Sequence, residues 1–167
     1  LSCWAGASGG DVLRGLSAFS GLDRRLQYRG VVRGVHLWDD FAHHPTAVGA
    51  ALRTLREIHP AAGLWCVFQP HQALRTARLM DEFARQLQTA DRVAVASIYR
   101  AREGRWRPGE PRAADLAAAV RARGTPTLPG HALSQIRRQL TCCPGDVLVT
   151  LGAGDIAKWN HGFPNRF

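Results

Sequence analysis

Val35-His36-Leu37-Trp38-Asp39-Asp40-Phe41-Ala42-His43-His44-Pro45-Thr46 is the stretch that decides the fold. Its first four residues read as an extended run, and from Ala47 to Ile58 the apolar Val48, Leu52 and Leu55 fall at the spacing of one helix face. Between the two, a pair of carboxylates, an aromatic ring and two imidazoles crowd the corner where a strand passes into a helix. Pro45 suits the first helical turn, where its missing N–H is not needed, and Asp40 or a neighbouring histidine can accept from the free N–H groups there. In an open α/β sheet, ligands bind at such corners.

Outward from this corner the chain alternates. Strand-like runs are expected at Gln27 to Asp40 (two short strands joined near Arg29-Gly30 or Arg33-Gly34), Leu64 to Gln69, Arg92 to Tyr99 and Asp146 to Leu151, with a weaker one at Thr125 to Leu128. Helix-like runs are expected at Asp11 to Phe19, Thr46 to Ile58, Leu74 to Leu87, Ala113 to Arg123 and Ala132 to Leu140. Strands that are almost unbroken apolar runs, alternating with helices, predict a doubly wound α/β domain with a mostly parallel sheet covered on both faces. The glycines and prolines between Tyr99 and Pro111 predict an exposed loop. The tail from Trp159 to Phe167 is expected to be frayed or an irregular wrap.

The 167 residues suffice for one domain of this kind and not for a second complete one. With 46% hydrophobic and 21% charged residues the chain is not of disordered composition, and no apolar run is long enough to span a bilayer. The first residue is Leu1 rather than Met, and Leu1 to Gly10 has no basic leader and no long apolar segment, so the opening does not look like a secretory signal and the chain reads as a piece of a longer protein. Four cysteines without a CxxC do not make a disulfide framework, and Cys66 lies within the apolar run Leu64-Trp65-Cys66-Val67-Phe68, so a reducing, cytoplasmic setting is expected. The net charge of +9 comes from arginines and a single Lys158. They are scattered over helix-like stretches without interleaved aromatics, which is the pattern of a solvated surface and not of a nucleic-acid binder.

Four polar clusters follow predicted strands and would gather along one carboxyl edge of the sheet. The first is the corner quoted above. His43 and His44 do not suggest zinc, because adjacent residues at a helix start diverge and no HxxxH follows; no metal site is expected. The second is Phe68-Gln69-Pro70-His71-Gln72-Ala73-Leu74-Arg75-Thr76, where a helix starting near His71 would put His71 and Arg75 on one face. Arg75 could grip a carboxylate or phosphate, or could pair with Asp81 or Glu82. The third is Ile98-Tyr99-Arg100-Ala101-Arg102-Glu103, a candidate rim loop. The fourth is Leu151-Gly152-Ala153-Gly154-Asp155-Ile156, whose glycines let backbone approach a ligand. No GxxxxGK[ST] is present, so a triphosphate would need its grip elsewhere.

In order and spacing, Arg24-Arg25-Leu26-Gln27, DDFAHHPTAV (39–48), FQPHQALRT (68–76), DEFA (81–84), IYRARE (98–103) and GDVLVTLGAGDI (145–156) resemble the C-terminal domain of the Mur ligase family. The resemblance runs from about Gly21 to Ile156 and is nearest the branch that joins L-alanine to UDP-N-acetylmuramate. It implies a three-domain cytoplasmic enzyme of peptidoglycan synthesis, in which the sugar carboxylate is activated as an acyl phosphate and then attacked by the amine. ATP and Mg²⁺ would be held mainly by a central domain, and UDP-N-acetylmuramate by the other domains. Residues 1–20 would be the end of that central domain or a connection, and 21–167 the amino-acid-binding domain.

Residue by residue, the resemblance implies that Arg25, Asp40 and Phe41 face the nucleotide, with Phe41 in place of a usual tyrosine. It places His43 and His44 near the reacting groups, His71, Gln72 and Arg75 around the amino-acid carboxylate, and Gly152, Ala153 and Gly154 along the amino-acid pocket. Two departures stand out. Where the family commonly reads HRYSR this chain has His71-Gln72-Ala73-Leu74-Arg75, one arginine fewer, and Arg100 and Arg102 replace small or cyclic residues in the IYRARE loop; either could restore the charge, or the preferred amino acid could differ. A murein tripeptide-recycling ligase shares the chemistry but is not expected to read FQPH. A non-catalytic nucleotide or nucleic-acid binding module is the reading from a different class; a nucleic-acid binder would lose affinity steeply as ionic strength rises, whereas the ligase domain should ignore oligonucleotides. A purely structural α/β fragment would need several motifs to coincide.

Overall fold

The computed structural model describes residues 4–19 and 21–160. Apolar strands pair into a six-stranded sheet: β1 (Gln27–Val32), β2 (Val35–Asp40), β3 (Leu64–Phe68), β4 (Arg92–Ala96), β5 (Thr127–His131) and β6 (Val147–Leu151). The spatial order is β1-β2-β6-β3-β4-β5, with β1 antiparallel to β2 and every other neighbouring pair parallel. The helices are α1 (Gly9–Ala18), α2 (Pro45–Ile58), α3 (Ala73–Arg78), α4 (Met80–Leu87), α5 (Ala113–Arg121), α6 (Leu133–Gln139) and α7 (Ile156–Asn160). This is the expected doubly wound α/β arrangement.

Strand side chains alternate between two cores, as the period of two requires. Cys66, Phe68, Val93, Val95, Val149 and Leu151 pack with Leu52 and Leu55 of α2, Phe83 and Leu87 of α4 and Leu116 and Val120 of α5. On the other face Trp65, Val67, Ala94 and Leu148 pack with Ile136 of α6 and Ile156 of α7. The Cys66 thiol is fully buried, and burial pushes its pKa above the usual thiol range.

β6, last in sequence, inserts between β2 and β3. In the register, Asp40 lies beside Leu151, Leu151 beside Phe68, and Phe68 beside Val95. The segments leaving these four strands therefore emerge side by side across three strand spacings, about 14 Å.

Several local expectations are corrected. The run from Leu74 to Leu87 is two helices that meet at Leu79, whose φ of -113° and ψ of 18° leave the helical region. No glycine or proline marks this break, so apolar periodicity runs straight across it. β4 ends at Ala96, and Tyr99 returns only as an isolated parallel bridge to His71. β5 sits at Thr127–His131, later than the weak run at Thr125 to Leu128. Trp159 and Asn160 belong to α7 and not to a frayed tail; the rest of that tail lies outside the described residues. α1 buries none of its residues, and Leu13 and Leu16 are each 67% exposed.

Candidate active site

Asp39 and Asp40 point to opposite faces of β2 and do different work. Asp40 accepts backbone N–H groups from Leu26 (2.6 Å) and Ala42 (2.7 Å), which pins the approach to β1 against the departure from β2. Asp39 is fully buried and is compensated by Arg24 Nε at 3.1 Å, Arg29 at 3.6 Å and the Thr150 hydroxyl, which donates at 3.0 Å. Arg24 also donates through Nη2 to the Gly152 carbonyl at 2.5 Å, so one guanidinium ties β2 to the glycine loop after β6. Phe41, 36% exposed, has the guanidinium carbons of Arg24 and Arg25 at 5.3 and 5.9 Å from its ring centroid, within cation–π range.

His43 and His44 diverge, as adjacent residues at a helix start should. The His43 ring lies 5.1 Å from Phe41 and 5.7 Å from His71, and its Nδ1 sits 2.9 Å from the Phe41 carbonyl oxygen. His44 is the N-cap of α2, its Nδ1 accepting the Thr46 N–H at 3.4 Å. The capping role expected of Asp40 or a histidine thus falls to His44.

After β3, Pro70 accepts from the Tyr99 N–H and the Tyr99 carbonyl accepts from the Gln72 N–H, each at 2.8 Å. His71 is held in this bridge and precedes α3, so it does not share a helix face with Arg75 as expected, although the Arg75 charge still reaches its ring. The Tyr99 ring lies 5.7 Å from the His71 ring, tilted by 32°. Burial holds the His71 pKa below the ordinary histidine value, helped by the charges of His43 and Arg75 and opposed by Glu103. Its Nδ1 is buried without a hydrogen-bond partner among the described residues. Gln72 takes φ 68° and ψ 129°, a conformation that an L residue adopts only when its surroundings enforce it.

Arg75 makes no side-chain hydrogen bond or ion pair with any described residue. Its suggested partner Asp81 is instead engaged by Arg85 and Arg123. Arg75 opens onto a cleft of about 510 Å³ with His44, Gln72, Arg78 and Glu103 on its walls. Glu103 reaches back from the rim loop and accepts the N–H groups of Ala73 (2.6 Å) and Leu74 (3.1 Å), fixing the start of α3. Arg100 does not replace the charge absent at Gln72. It donates to the carbonyls of Gly104 and Arg105, pairs with Glu110 at 2.7 Å and lies 4.2 Å from the Trp106 ring centroid, which closes the loop on itself.

The glycine loop is clamped from below by Gln69, which is 4% exposed. Its Nε2 donates to Asp155 at 2.5 Å and its Oε1 accepts the Ile156 N–H at 3.0 Å. A Cβ on Gly154 would run into Gln69 Oε1 and lie 2.6 Å from Tyr99 Cγ; one on Gly152 would lie 2.8 Å from the Gln69 carbonyl oxygen. Asp40, Phe41, His43, His71, Arg75 and the loop of Gly152, Ala153 and Gly154 therefore share one rim, with Arg25 at its outer end and His44 on the cleft side. Arg24, Gln69, Tyr99 and Glu103 were not singled out as site residues, although each lies inside a quoted motif.

Residues 24–154, most of the chain, match the sequence family described as Mur ligase, glutamate ligase domain. The chain belongs to the Mur ligase family. It is 40% identical over 158 residues to the UDP-N-acetylmuramate–L-alanine ligase of Clostridium botulinum (strain Eklund 17B / Type B), covering 93% of this chain and 34% of that protein. It is 42% identical over 159 residues to the enzyme of the same name from Mycolicibacterium vanbaalenii, covering 91% of this chain and 32% of that one. It thus spans about a third of the length of these curated relatives. The UDP-N-acetylmuramate-alanine ligase of Thermotoga maritima superposes with a TM-score of 0.76 at 24% identity, over 95% of this chain and 33% of that one, and so shares the fold. The doubly wound sheet is the fold of that Mur ligase.

Proposed function

We propose that this chain is the amino-acid-binding, nucleotide-closing lobe of a cytoplasmic, ATP-dependent ligase that joins L-alanine to UDP-N-acetylmuramate in peptidoglycan precursor synthesis. Names and extent of the relatives support the reaction, and the rim geometry supports the role. The observation that carries it is Arg75, a half-buried guanidinium without a hydrogen-bond or ion-pair partner among the described residues, opening onto a cleft beside His71 and the bridge to Tyr99. A guanidinium so placed is suited to the carboxylate of an incoming amino acid.

The nucleotide fits the other end of the rim. Phe41 offers a partly open ring for stacking, and Arg25 is exposed beside it, able to swing toward phosphate. Asp40 has each oxygen committed to one backbone N–H and retains one acceptor position per oxygen for a ribose hydroxyl. Mg²⁺ does not fit: among the described residues no three His, Cys, Asp or Glu side chains come together. The cation and most of the triphosphate grip are therefore assigned to the preceding domain. Residues 1–20 are assigned to that domain or its connection, in keeping with an α1 that buries nothing against the lobe.

In this reading, phosphoryl transfer from ATP activates the sugar carboxylate as an acyl phosphate. The lobe brings the amino acid, orients it through Arg75 and the glycine loop, and on closing excludes water that would hydrolyse the activated carboxylate. Loss of a charge-assisted contact costs about 1.5–3 kcal/mol. Arg75→Ala in the full-length enzyme is thus expected to raise the KM for L-alanine by roughly 10- to 150-fold with little change for ATP. Equal shifts in both constants would refute the role.

A further inference from the structure

We propose that His43, and not His44, is the base that takes the proton from the incoming ammonium, with its proton-accepting nitrogen, Nε2, fixed by a backbone carbonyl. The assignment rests on the ligase reading above and deepens it. His43 Nδ1 lies 2.9 Å from the Phe41 carbonyl oxygen. A carbonyl can only accept, so Nδ1 carries the hydrogen, and in the neutral ring Nε2 keeps its lone pair. His44 is the reverse: the Thr46 N–H donates to its Nδ1, which puts that ring's hydrogen on Nε2. Two adjacent imidazoles thus have opposite tautomers, and only His43 offers a free lone pair at Nε2, with no described residue bonded to it.

The surroundings suit the task. His43 stands 5.7 Å from His71, whose ring feels the Arg75 charge, so His43 and Arg75 flank the same imidazole; His44 is the histidine on the cleft wall, but its Nδ1 is committed to the Thr46 N–H. The groups facing His43 are Phe41 from its own segment, His71 from the segment after β3, and the guanidinium groups of Arg24 and Arg25 across the Phe41 ring. Arg75 and Glu103 act at one remove through His71, whose preference for the neutral form keeps a second positive charge away when His43 takes a proton.

The step balances. One ammonium proton passes to His43 Nε2, and the freed nitrogen pair forms the C–N bond as the carbonyl π pair moves to oxygen. Collapse restores the carbonyl, breaks the C–O bond to phosphate, and the second nitrogen proton leaves with the phosphate.

The test uses the full-length enzyme and His43→Asn, whose amide N–H can still donate to the Phe41 carbonyl but offers no basic nitrogen. Two nucleophiles are compared: L-alanine, whose amine is protonated at neutral pH, and O-methylhydroxylamine, whose nitrogen is not. Turnover with alanine should fall about 10²-fold or more, while O-methyl hydroxamate formation should stay within about threefold of wild type, since only the first reaction needs the base. Independently of any variant, nitrogen NMR of the wild-type histidines should show His43 protonated at Nδ1 and His44 at Nε2. Equal losses with both nucleophiles, no loss with alanine, or a His43 proton on Nε2 would overturn the assignment. A wild type that makes neither product would instead bring down the ligase reading and the assignment with it.

Discussion

Gln69→Leu removes one side chain of nearly constant volume and cuts the joint between β3 and the glycine loop. Two bonds are lost. The Ile156 N–H, on a residue with no exposed surface, loses its acceptor at 3.0 Å. A buried donor left unsatisfied costs about 1–3 kcal/mol. Asp155 loses its 2.5 Å bond but is exposed and can turn to water, so its share is about 1 kcal/mol. The sum, roughly 2–4 kcal/mol, corresponds to a fall of about 30- to 900-fold in the protection of the Ile156 amide if opening of the loop governs its exchange. Hydrogen exchange in the full-length enzyme reads this directly, because a local measurement does not require the whole protein to unfold in one step. The Val149 amide in the middle of β6 should change far less. Ile156 exchange within about threefold of wild type would refute the view that Gln69 holds the loop.

Arg24→Ala should destabilise the chain by about 3 kcal/mol in urea denaturation, since it strands the buried Asp39 with only Arg29 at 3.6 Å and the Thr150 hydroxyl. Arg25→Ala, which removes only a ring contact on an exposed residue, should stay within about 0.5 kcal/mol; similar effects from both would remove Arg24 from its structural role. His59 caps the end of α2, and burial, together with the charge of His36, lowers its pKa. The folded state therefore resists protonation more than the unfolded one. Its contribution is complete above the unfolded histidine value of about 6.5 and declines as pH falls from there through the lower folded value. His71 acts with the same sign. Urea titrations across this range should show stability falling toward acid, and His59→Gln should flatten the slope; an unchanged slope would show that His59 does not carry it.

The strands were legible because they are buried on both faces: Leu64 to Phe68 and Val147 to Leu151 have no exposed member and read as unbroken apolar runs. The rim was legible to the extent that it follows strand ends, which is how Asp40, His43, Arg75 and the glycine loop could be grouped. Its joints were not. Gln69 meets Asp155 across 86 positions, Glu103 meets Ala73 across 30, and Arg24 meets Gly152 across 128. No local period records such distances, so these residues looked like ordinary members of their motifs. Leu79 failed for the opposite reason: its neighbours are fine helix formers, so local preference gives no sign of the break, and α4 beyond it packs on α2 and α5.

The His71 and Arg75 pair shows how a correct grouping can rest on a geometry that does not occur. Spacing by four suggested a shared helical face, but His71 is drawn into an extended bridge by Tyr99, and the turn that follows must pass through the strained backbone of Gln72. Under the proposed function that strain would bear on specificity. Where the family resemblance implies a second arginine, this chain has a neutral side chain anchored by its own backbone to Tyr99, and Arg100, the nearest substitute in sequence, is consumed by Glu110 and loop carbonyls. On the proposed reading, carboxylate binding in the cleft would therefore fall on Arg75, with Arg78 the other guanidinium on its walls. Because a guanidinium contact is worth about 1.5–3 kcal/mol, losing one of two would leave a weaker but still usable grip, and selection among small amino acids would shift toward the fit of the glycine loop against Tyr99.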